Sequence, residues 1–166
     1  MKRLLALCAV LVVCAASSTA AAFARQAARP EILGVALGMS EGEARARLRK
    51  IGRLEKEERK KQEVWVLNDE PRFGHLIVGF DKATGRVRYV TAKARPAGER
   101  MRYADVLDVK GARRAVAPRS FEYVAEVAAR GKQPAYQVIA RGPDPEFLLY
   151  YSIKQVDAPA AEGAKK

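Results

Sequence analysis

Few residues in this sequence offer the chemistry that hydrolytic enzymes use. Beyond the first 24 residues there are three serines and two threonines, and the single histidine is His75. A serine nucleophile needs a nearby base and an orienting group, and neither Ser120 nor Ser152 lies in a nucleophile-elbow sequence. Ser40 stands where a helix start would use its hydroxyl. We therefore expect no serine hydrolase.

Carboxylate chemistry is the remaining catalytic hypothesis. Two pairs have short spacings, Asp105 with Asp108 and Glu122 with Glu126, and paired carboxylates support glycoside hydrolysis. Glu122 and Glu126 alternate with apolar residues, as solvent-facing strand positions do. His75 lacks the further ligands that a zinc site needs, and the chain has no glycine-rich phosphate loop. We expect no enzyme, metal or cofactor, and an unrecognised carboxylate mechanism is the least favoured alternative.

The N-terminus has the pattern of an export signal. Lys2 and Arg3 precede an apolar stretch over residues 4–16, and small residues end at Ala22-Phe23-Ala24. This arrangement predicts a secretory signal peptide over residues 1–24, cleaved after Ala24. The residue before Cys14 is Val13, which disfavours a lipoprotein signal. The mature protein is expected in the periplasm or secreted, without a membrane span.

The composition of the mature chain narrows its partners. Cys8 and Cys14 both lie in the predicted signal, so the mature chain lacks thiols and disulfides. Removal of Lys2 and Arg3 lowers the formal net charge from +12 to +10. Export disfavours nucleic acid as the partner of this charge and favours anionic lipid, lipopolysaccharide or cell-wall glycan. A surface that merely keeps the protein soluble is the favoured explanation of the charge, because net charge concerns solubility and association more than a specific site, and the oligomeric state is left open.

The clearest secondary-structure signal is a helix start at Ser40. Glu43 stands three residues later, which predicts a capping box, and Met39 with Ala44 predicts a hydrophobic staple. Apolar residues recur at helical spacing and Gly52 ends the pattern. The remaining circumference is basic. Its candidate anionic-partner face consists of Arg45, Arg49 and Lys50.

Residues beyond the helix predict an antiparallel meander. Residues 53–63 are highly charged and could continue the helix or form the exposed start of a strand. We favour a connection that becomes a strand near Lys61, because residues 64–67 are rich in strand formers. A second strand places Leu76, Val78 and Phe80 on one face and turns near Gly85. In the third strand, the expected faces are Val87, Tyr89 and Thr91 on one side and Val90, Ala92 and Ala94 on the other.

The second half of the chain repeats this pattern more weakly. Residues 103–115 predict a helical or loop segment, and three alternating strands follow. The alternating sets are Phe121, Tyr123, Ala125 and Val127; Tyr136, Val138 and Ala140; and Phe147, Leu149, Tyr151 and Ile153. We predict a single α+β domain over residues 25–157, built from two tandem helix-plus-three-strand units at about 31–95 and 97–157 that form one sheet. Residues 158–166 are expected to be disordered.

Residues 32–94 resemble two groups of small exported proteins. The likeness rests on Gly38-Met39-Ser40 opening a helix, Glu43, Trp65, and a strand at residues 76–81 that turns through Gly85 to Val87. It is similar to the accessory lipoprotein of the outer-membrane β-barrel assembly machinery and to the repeat unit of β-lactamase inhibitory protein. The resemblance implies a helix packed on an antiparallel sheet and a role in protein binding. It implies no catalytic residue.

These observations favour a non-enzymatic envelope protein that binds another envelope protein through its sheet or its basic helix face. The alternative is a binder of anionic lipid, lipopolysaccharide or glycan through the basic face. Adjacent Tyr150 and Tyr151 must point to opposite faces of a strand, so one of them is a candidate exposed aromatic.

Overall fold

The computed structural model describes residues 30–58, 62–131 and 133–156. The predicted signal peptide and the predicted disordered tail lie outside these residues. The described helices are α1 (Glu41–Ile51) and a 3-10 helix (Tyr103–Asp105). The described strands are β1 (Glu31–Ile32), β2 (Val35–Ala36), β3 (Gly52–Glu58), β4 (Gln62–Leu67), β5 (Phe73–Phe80), β6 (Val87–Ala94), β7 (Arg113–Ala117), β8 (Ser120–Val127), β9 (Tyr136–Gly142) and β10 (Tyr150–Gln155).

Most of the described chain forms antiparallel β-structure. Strands β1 and β2 make a two-stranded hairpin, and the other eight described strands form a main sheet in the order β3-β4-β5-β6-β10-β9-β8-β7. Each half of the chain folds as a meander, and the two meanders meet where β6 pairs with β10. The sequence predicts six strands for the main sheet, and the described part of the structure has eight. One short α-helix accompanies them among the described residues.

The capping box predicted at Ser40 is confirmed. The Glu43 backbone N–H donates to the Ser40 hydroxyl, and the Ser40 N–H donates to the Glu43 carboxylate at 3.1 Å. The Ser40 hydroxyl also donates to the Glu43 carboxylate at 2.6 Å, and this bond, followed by that from the Ser40 N–H, holds the pKa of Glu43 below its usual value. Satisfying the first N–H groups of the helix in this way fixes where it begins.

Backbone hydrogen bonds tie this helix start to the turn between β5 and β6. The Gly38 N–H donates to the Val87 carbonyl at 2.8 Å, and the Val87 N–H donates to Met39 at 2.9 Å. The Glu41 N–H donates to the carbonyl of Gly85, which has a φ of +63°. The structure therefore joins two segments that the sequence presents about 45 residues apart.

The prediction of a connection over residues 53–63 is wrong, because β3 begins at Gly52 directly after α1. Gly52 permits this abrupt change: a Cβ there would lie 2.3 Å from the Val66 carbonyl oxygen. Strand β3 lies at an edge of the sheet, so both faces of Arg53 through Glu57 are exposed. Mixed charges on an edge strand hide the alternation by which buried strands are recognised.

A bulge changes the faces expected for β6. Phe80 pairs with Val87 and Gly79 with Tyr89, so Arg88 is an extra residue. Val87 consequently faces the core with Val90 and is fully buried, whereas the sequence grouped it with Tyr89 and Thr91. The buried set Leu76, Val78 and Phe80 expected in β5 is confirmed.

The second half differs from expectation at two places. Residues 103–115 contain the short 3-10 helix and then the start of β7, a strand that the sequence did not predict. Strand β10 begins at Tyr150, not at Phe147. The reason is a turn in which the Asp144 carboxylate accepts hydrogen bonds from the N–H groups of Phe147 and Glu146. These bonds, with Phe147 the larger contribution, lower the pKa of Asp144.

The hydrophobic core lies on one face of the main sheet. Over the first half it is covered by the β1–β2 hairpin and by Ala44 and Leu48 of α1. Over the second half it is covered by the segment that contains the 3-10 helix, through Met101, Tyr103, Val106 and Leu107. The Tyr103 and Tyr123 rings lie 4.7 Å apart between their centroids. The buried set predicted for β9, Tyr136, Val138 and Ala140, is confirmed.

Candidate functional site

The opposite face of the main sheet carries no packed helix or strand from the described part of the chain. We call it the open face. Cross-strand register places one continuous row of side chains across its middle, since directly paired residues point to the same side. In order from β4 to β8, this row is Val64, Ile77, Thr91, Ser152, Ile139 and Val124.

The middle row is apolar at both ends and polar at its centre. The hydroxyls of Thr91 and Ser152 form a hydrogen bond of 2.8 Å where the two meanders join. Val124 is only 6 % exposed although it does not belong to the core cluster. Val64, Ile77 and Ile139 are half-buried. Such a row offers apolar area without a covering layer.

Two basic and aromatic rows flank this apolar row. One contains His75, Lys93, Tyr150 and Arg141, which are successive cross-strand neighbours from β5 to β9. The other contains Tyr89, Lys154 and Gln137. The expected opposite orientation of Tyr150 and Tyr151 is confirmed, since Tyr151 packs against the core. Of these two tyrosines, Tyr150 is therefore the one on the open face.

Tyr89 lies flat on the open face instead of projecting from it. Its ring covers Gly79, where an added Cβ would lie 2.0 Å from the ring. The Tyr89 hydroxyl donates to the side-chain oxygen of Gln62 on β4. Burial, with a smaller contribution from the Glu58 charge, raises the pKa of Tyr89. Gly79 and Tyr89 thus keep this part of the open face smooth.

Charges on the open face are only partly compensated. Arg141 pairs with Glu122, Lys56 pairs with Glu58 at 2.6 Å, and His75 lies 3.6 Å from Glu55. Lys93 and Lys154, which flank the central hydroxyl pair on opposite sides, form no ion pair with another described residue. The centre of the open face is therefore positively charged.

A second feature joins α1 to the sheet. Glu63, on the core side of β4, is 1 % exposed, and its carboxylate accepts a hydrogen bond from Trp65 Nε1 at 2.9 Å. Arg45 of α1 donates to the same carboxylate through Nε at 2.6 Å. Arg45 also pairs with Glu41 at 2.7 Å. The hydrogen bond to Glu63 raises the pKa of Arg45, so Arg45 stays charged beside the buried carboxylate.

Sequence reasoning missed Glu63. The signal was present, because Glu63 alternates with Trp65 and Leu67, which are both buried. A carboxylate in phase with core residues of a strand needs a buried cation or donors. Because Glu63 lies at the end of a charged stretch, its alternation with Trp65 and Leu67 was not recognised in the sequence.

The three residues of the predicted basic helix face do not point into one site. Arg45 and Arg49 line a groove of about 490 Å³ between α1 and β3, together with Arg53, Leu54 and Trp65. Lys50 lines a different groove of about 440 Å³ with Arg47 and Glu43. Arg49 and Lys50 are exposed, and neither forms an ion pair with another described residue.

The carboxylates considered for catalysis all have structural partners. Asp105 accepts from the Arg102 N–H at 2.8 Å, and Asp108 accepts from the Lys110 N–H at 3.0 Å. Glu122 pairs with Arg141, and Glu126 accepts from Gln137 at 3.3 Å. Within residues 30–58, 62–131 and 133–156, no cluster of three or more His, Cys, Asp or Glu residues could hold a metal ion.

Comparison with protein-family models, curated proteins and solved structures found no match to this chain. Among the described residues, no helix is both long enough and apolar enough to cross a membrane.

Proposed function

We propose that this protein is an exported, non-enzymatic envelope protein that binds another protein through the open face of its main sheet. The observation that supports the proposal is that only one of the two faces of the main sheet is covered by other described elements. One face is covered over both halves of the chain, whereas the other presents a row of aliphatic side chains with no covering element among the described residues. Contiguous apolar surface rimmed by polar groups is typical of interaction sites.

The composition of the open face fits a protein partner. Tyr150 and Arg141 stand beside the apolar row, and tyrosine and arginine are enriched where interfaces concentrate binding energy. Lys93 and Lys154 add uncompensated positive charge near the centre. This charge favours a partner with carboxylates at matching positions, because complementary charges speed association and select the partner.

We also propose that the chain consists of two tandem units, as expected from the sequence. Four strands before the β6–β10 junction and four after it support two successive units of similar plan, with α1 over the first and the 3-10 helix over the second. In this proposal the unit is helix plus four strands, since each meander includes one strand more than expected. The resemblance to the assembly-machinery lipoprotein and the inhibitory protein supports the binding role as a proposal only.

Site-specific photocrosslinking tests the proposal. A benzophenone amino acid replaces Lys154 on the open face, and matched variants carry it at Lys82, in the loop between β5 and β6, or at Arg49 on α1. All three positions are exposed. We expect a discrete protein adduct from envelope extract with the Lys154 variant and none with the Lys82 variant. An adduct confined to Arg49, or no adduct at Lys154, would contradict the open-face proposal.

A second candidate function has its own observation. The groove between α1 and β3 has Trp65 and the 44 % exposed Leu54 beside Arg49 and Arg53. A groove lined by both apolar residues and cations suits an amphipathic anion such as an acidic lipid. Vesicles containing anionic lipid should then bind the protein, and the Arg49→Gln/Arg53→Gln variant should bind less. Binding that does not weaken with added salt would exclude this candidate, because screening reduces charge attraction.

A further inference from the structure

We propose that strand β7 is a docking edge at which an extended, acidic segment of another protein adds as a further strand to the main sheet. This surface is separate from the open face, and the inference does not require the proposed function. It rests on the difference between the two outermost described strands, on exposure and on local charge. Edge strands present unpaired N–H and C=O groups, and peptides dock by pairing with them.

The outermost strands β3 and β7 differ in how they are protected. Strand β3 has a register shift between Leu54 and Lys56, and it carries charges of both signs. A bulge is one of the usual means by which proteins prevent strand addition. Strand β7 pairs with β8 in unbroken register from Arg113 to Ala117. It therefore presents a regular edge.

Exposure along β7 is unusually complete. All five of its residues are exposed, including Val116, which is 59 % exposed. Among the large apolar residues described, Val116 is more exposed than Leu54 or Val156. A β-branched residue at a regular edge favours pairing with another extended chain, because branched side chains pack across neighbouring strands.

Local charge indicates which kind of segment would bind. Residues 109–121 contain four cations, Lys110, Arg113, Arg114 and Arg119, and no acidic residue. Arg114 lies over the rings of Phe121 and Tyr123, at 5.7 and 5.8 Å from their centroids. Arg113 and Arg119 form no ion pair with another described residue. Carboxylates on an incoming strand would meet these cations.

The same charge argues against two other occupants. A second copy of β7 would bring two basic edges together, and like charges across strands are destabilising. Nucleic acid would satisfy the cations, but it has no peptide backbone whose N–H and C=O groups could pair with a strand edge. An acidic extended peptide satisfies both the charge and the hydrogen-bonding groups.

Binding of a short synthetic peptide tests this inference. The probe is a fluorescein-labelled heptapeptide in which glutamate alternates with valine, measured by fluorescence anisotropy. Its controls are the lysine counterpart and a version with N-methylated backbone amides. We expect saturable binding of the glutamate peptide alone. Equal binding of the lysine peptide, or undiminished binding of the N-methylated peptide, would overturn the inference.

Variants of the full chain locate the contact. Val116→Pro removes an edge N–H and disturbs strand addition, and Arg113→Glu/Arg114→Glu reverses the local charge. Each should weaken peptide binding by roughly tenfold or more, which corresponds to about 1.4 kcal/mol. The control Arg53→Glu, on β3, should leave binding unchanged. Circular dichroism verifies folding, and the charge-reversal variant suffices if Val116→Pro fails to fold.

The remaining outcomes decide among occupants. A single-stranded oligonucleotide of equal charge that displaces the peptide completely would show that charge alone drives binding, and would overturn the inference. So would sedimentation showing a dimer of the protein that Val116→Pro converts to monomer, because the edge would then accept its own copy. Unchanged peptide binding by the folded charge-reversal variant would likewise refute it.

Discussion

The guanidinium of Arg45 lies against the buried carboxylate of Glu63, with Nε at 2.6 Å and a second nitrogen at 2.5 Å from the same oxygen. This ion pair joins α1 to β4 beneath the helix. Trp65 donates to the other carboxylate oxygen. Glu63 is thus satisfied from two directions, and its charge needs both partners because it is removed from water.

Replacing Arg45 by Met should destabilise the fold. The change leaves the Glu63 carboxylate buried with the Trp65 donor alone, and breaking buried ion pairs costs about 3–5 kcal/mol. The Arg45 side chain is 33 % exposed, so we expect a smaller loss of roughly 2–3 kcal/mol in the free energy of unfolding. Urea denaturation measures it.

The matched control for Arg45 is Arg47→Met on the exposed side of α1, which should change stability by less than about 0.5 kcal/mol. The double variant Arg45→Met/Glu63→Gln should recover part of the loss, because it no longer buries an unpaired charge. Strict additivity of the two single changes would contradict the pairing.

Gly79→Ala should disturb the open face. The new methyl group would lie 2.0 Å from the Tyr89 ring, so the ring must move and its hydrogen bond to Gln62 must break. We expect a loss of about 1–3 kcal/mol, as in other overpacked sites, and altered fluorescence of the tyrosines. Gly42→Ala is the control, since nothing lies within 4 Å of the added atom, and alanine there should stabilise α1 by up to about 1 kcal/mol.

Stability should fall in alkaline solution. Burial, followed by the charge of Asp144, raises the pKa of Tyr103 from 10.0 to about 12. Burial, followed by Tyr136, raises the pKa of Tyr151 to about 12 as well. Since the folded state favours the protonated phenols, their contribution is fully present below pH 10 and disappears as the pH rises towards 12. Melting temperatures measured from pH 8 to pH 12 should show this decline.

Ultraviolet titration checks the tyrosine prediction directly. Phenolate absorbance of the folded protein should develop in part near pH 12, whereas the denatured protein should titrate near pH 10. Tyr151→Phe should shift the late component. Complete titration of all tyrosines near pH 10 in the folded protein would contradict the assignment.

Arg119→Gly should stabilise the turn between β7 and β8. Arg119 has a φ of +60°, which disfavours a residue with a Cβ by about 1–2 kcal/mol. The greater flexibility of glycine in the unfolded chain offsets part of this gain, so we expect a net increase of up to about 1 kcal/mol. Arg119→Lys, which keeps the Cβ and the charge, should be neutral. Destabilisation by glycine, measured by urea denaturation, would show that the arginine side chain has a structural role.

Local sequence signals determined the elements that depend on neighbouring residues. Ser40 and Glu43 lie one helical turn apart, so their reciprocal hydrogen bonds were predictable, and both form. Alternation likewise identified the buried residues of β5 and β9 because those strands lie inside the sheet. Edge strands β3 and β7 escaped this reasoning, since neither face of such a strand is uniformly buried.

What the sequence determined by itself is the helix start, the α+β composition with an antiparallel sheet, and the apolar sets by which β5 and β9 face the core, because each follows from patterns among residues a few positions apart. Only the tertiary structure decided which sheet face stays uncovered, that Arg45 is paired with a buried Glu63, and that the two meanders meet at β6 and β10. Those features depend on residues far apart in the chain. Pairing register and burial bring them together, and no local pattern encodes that proximity.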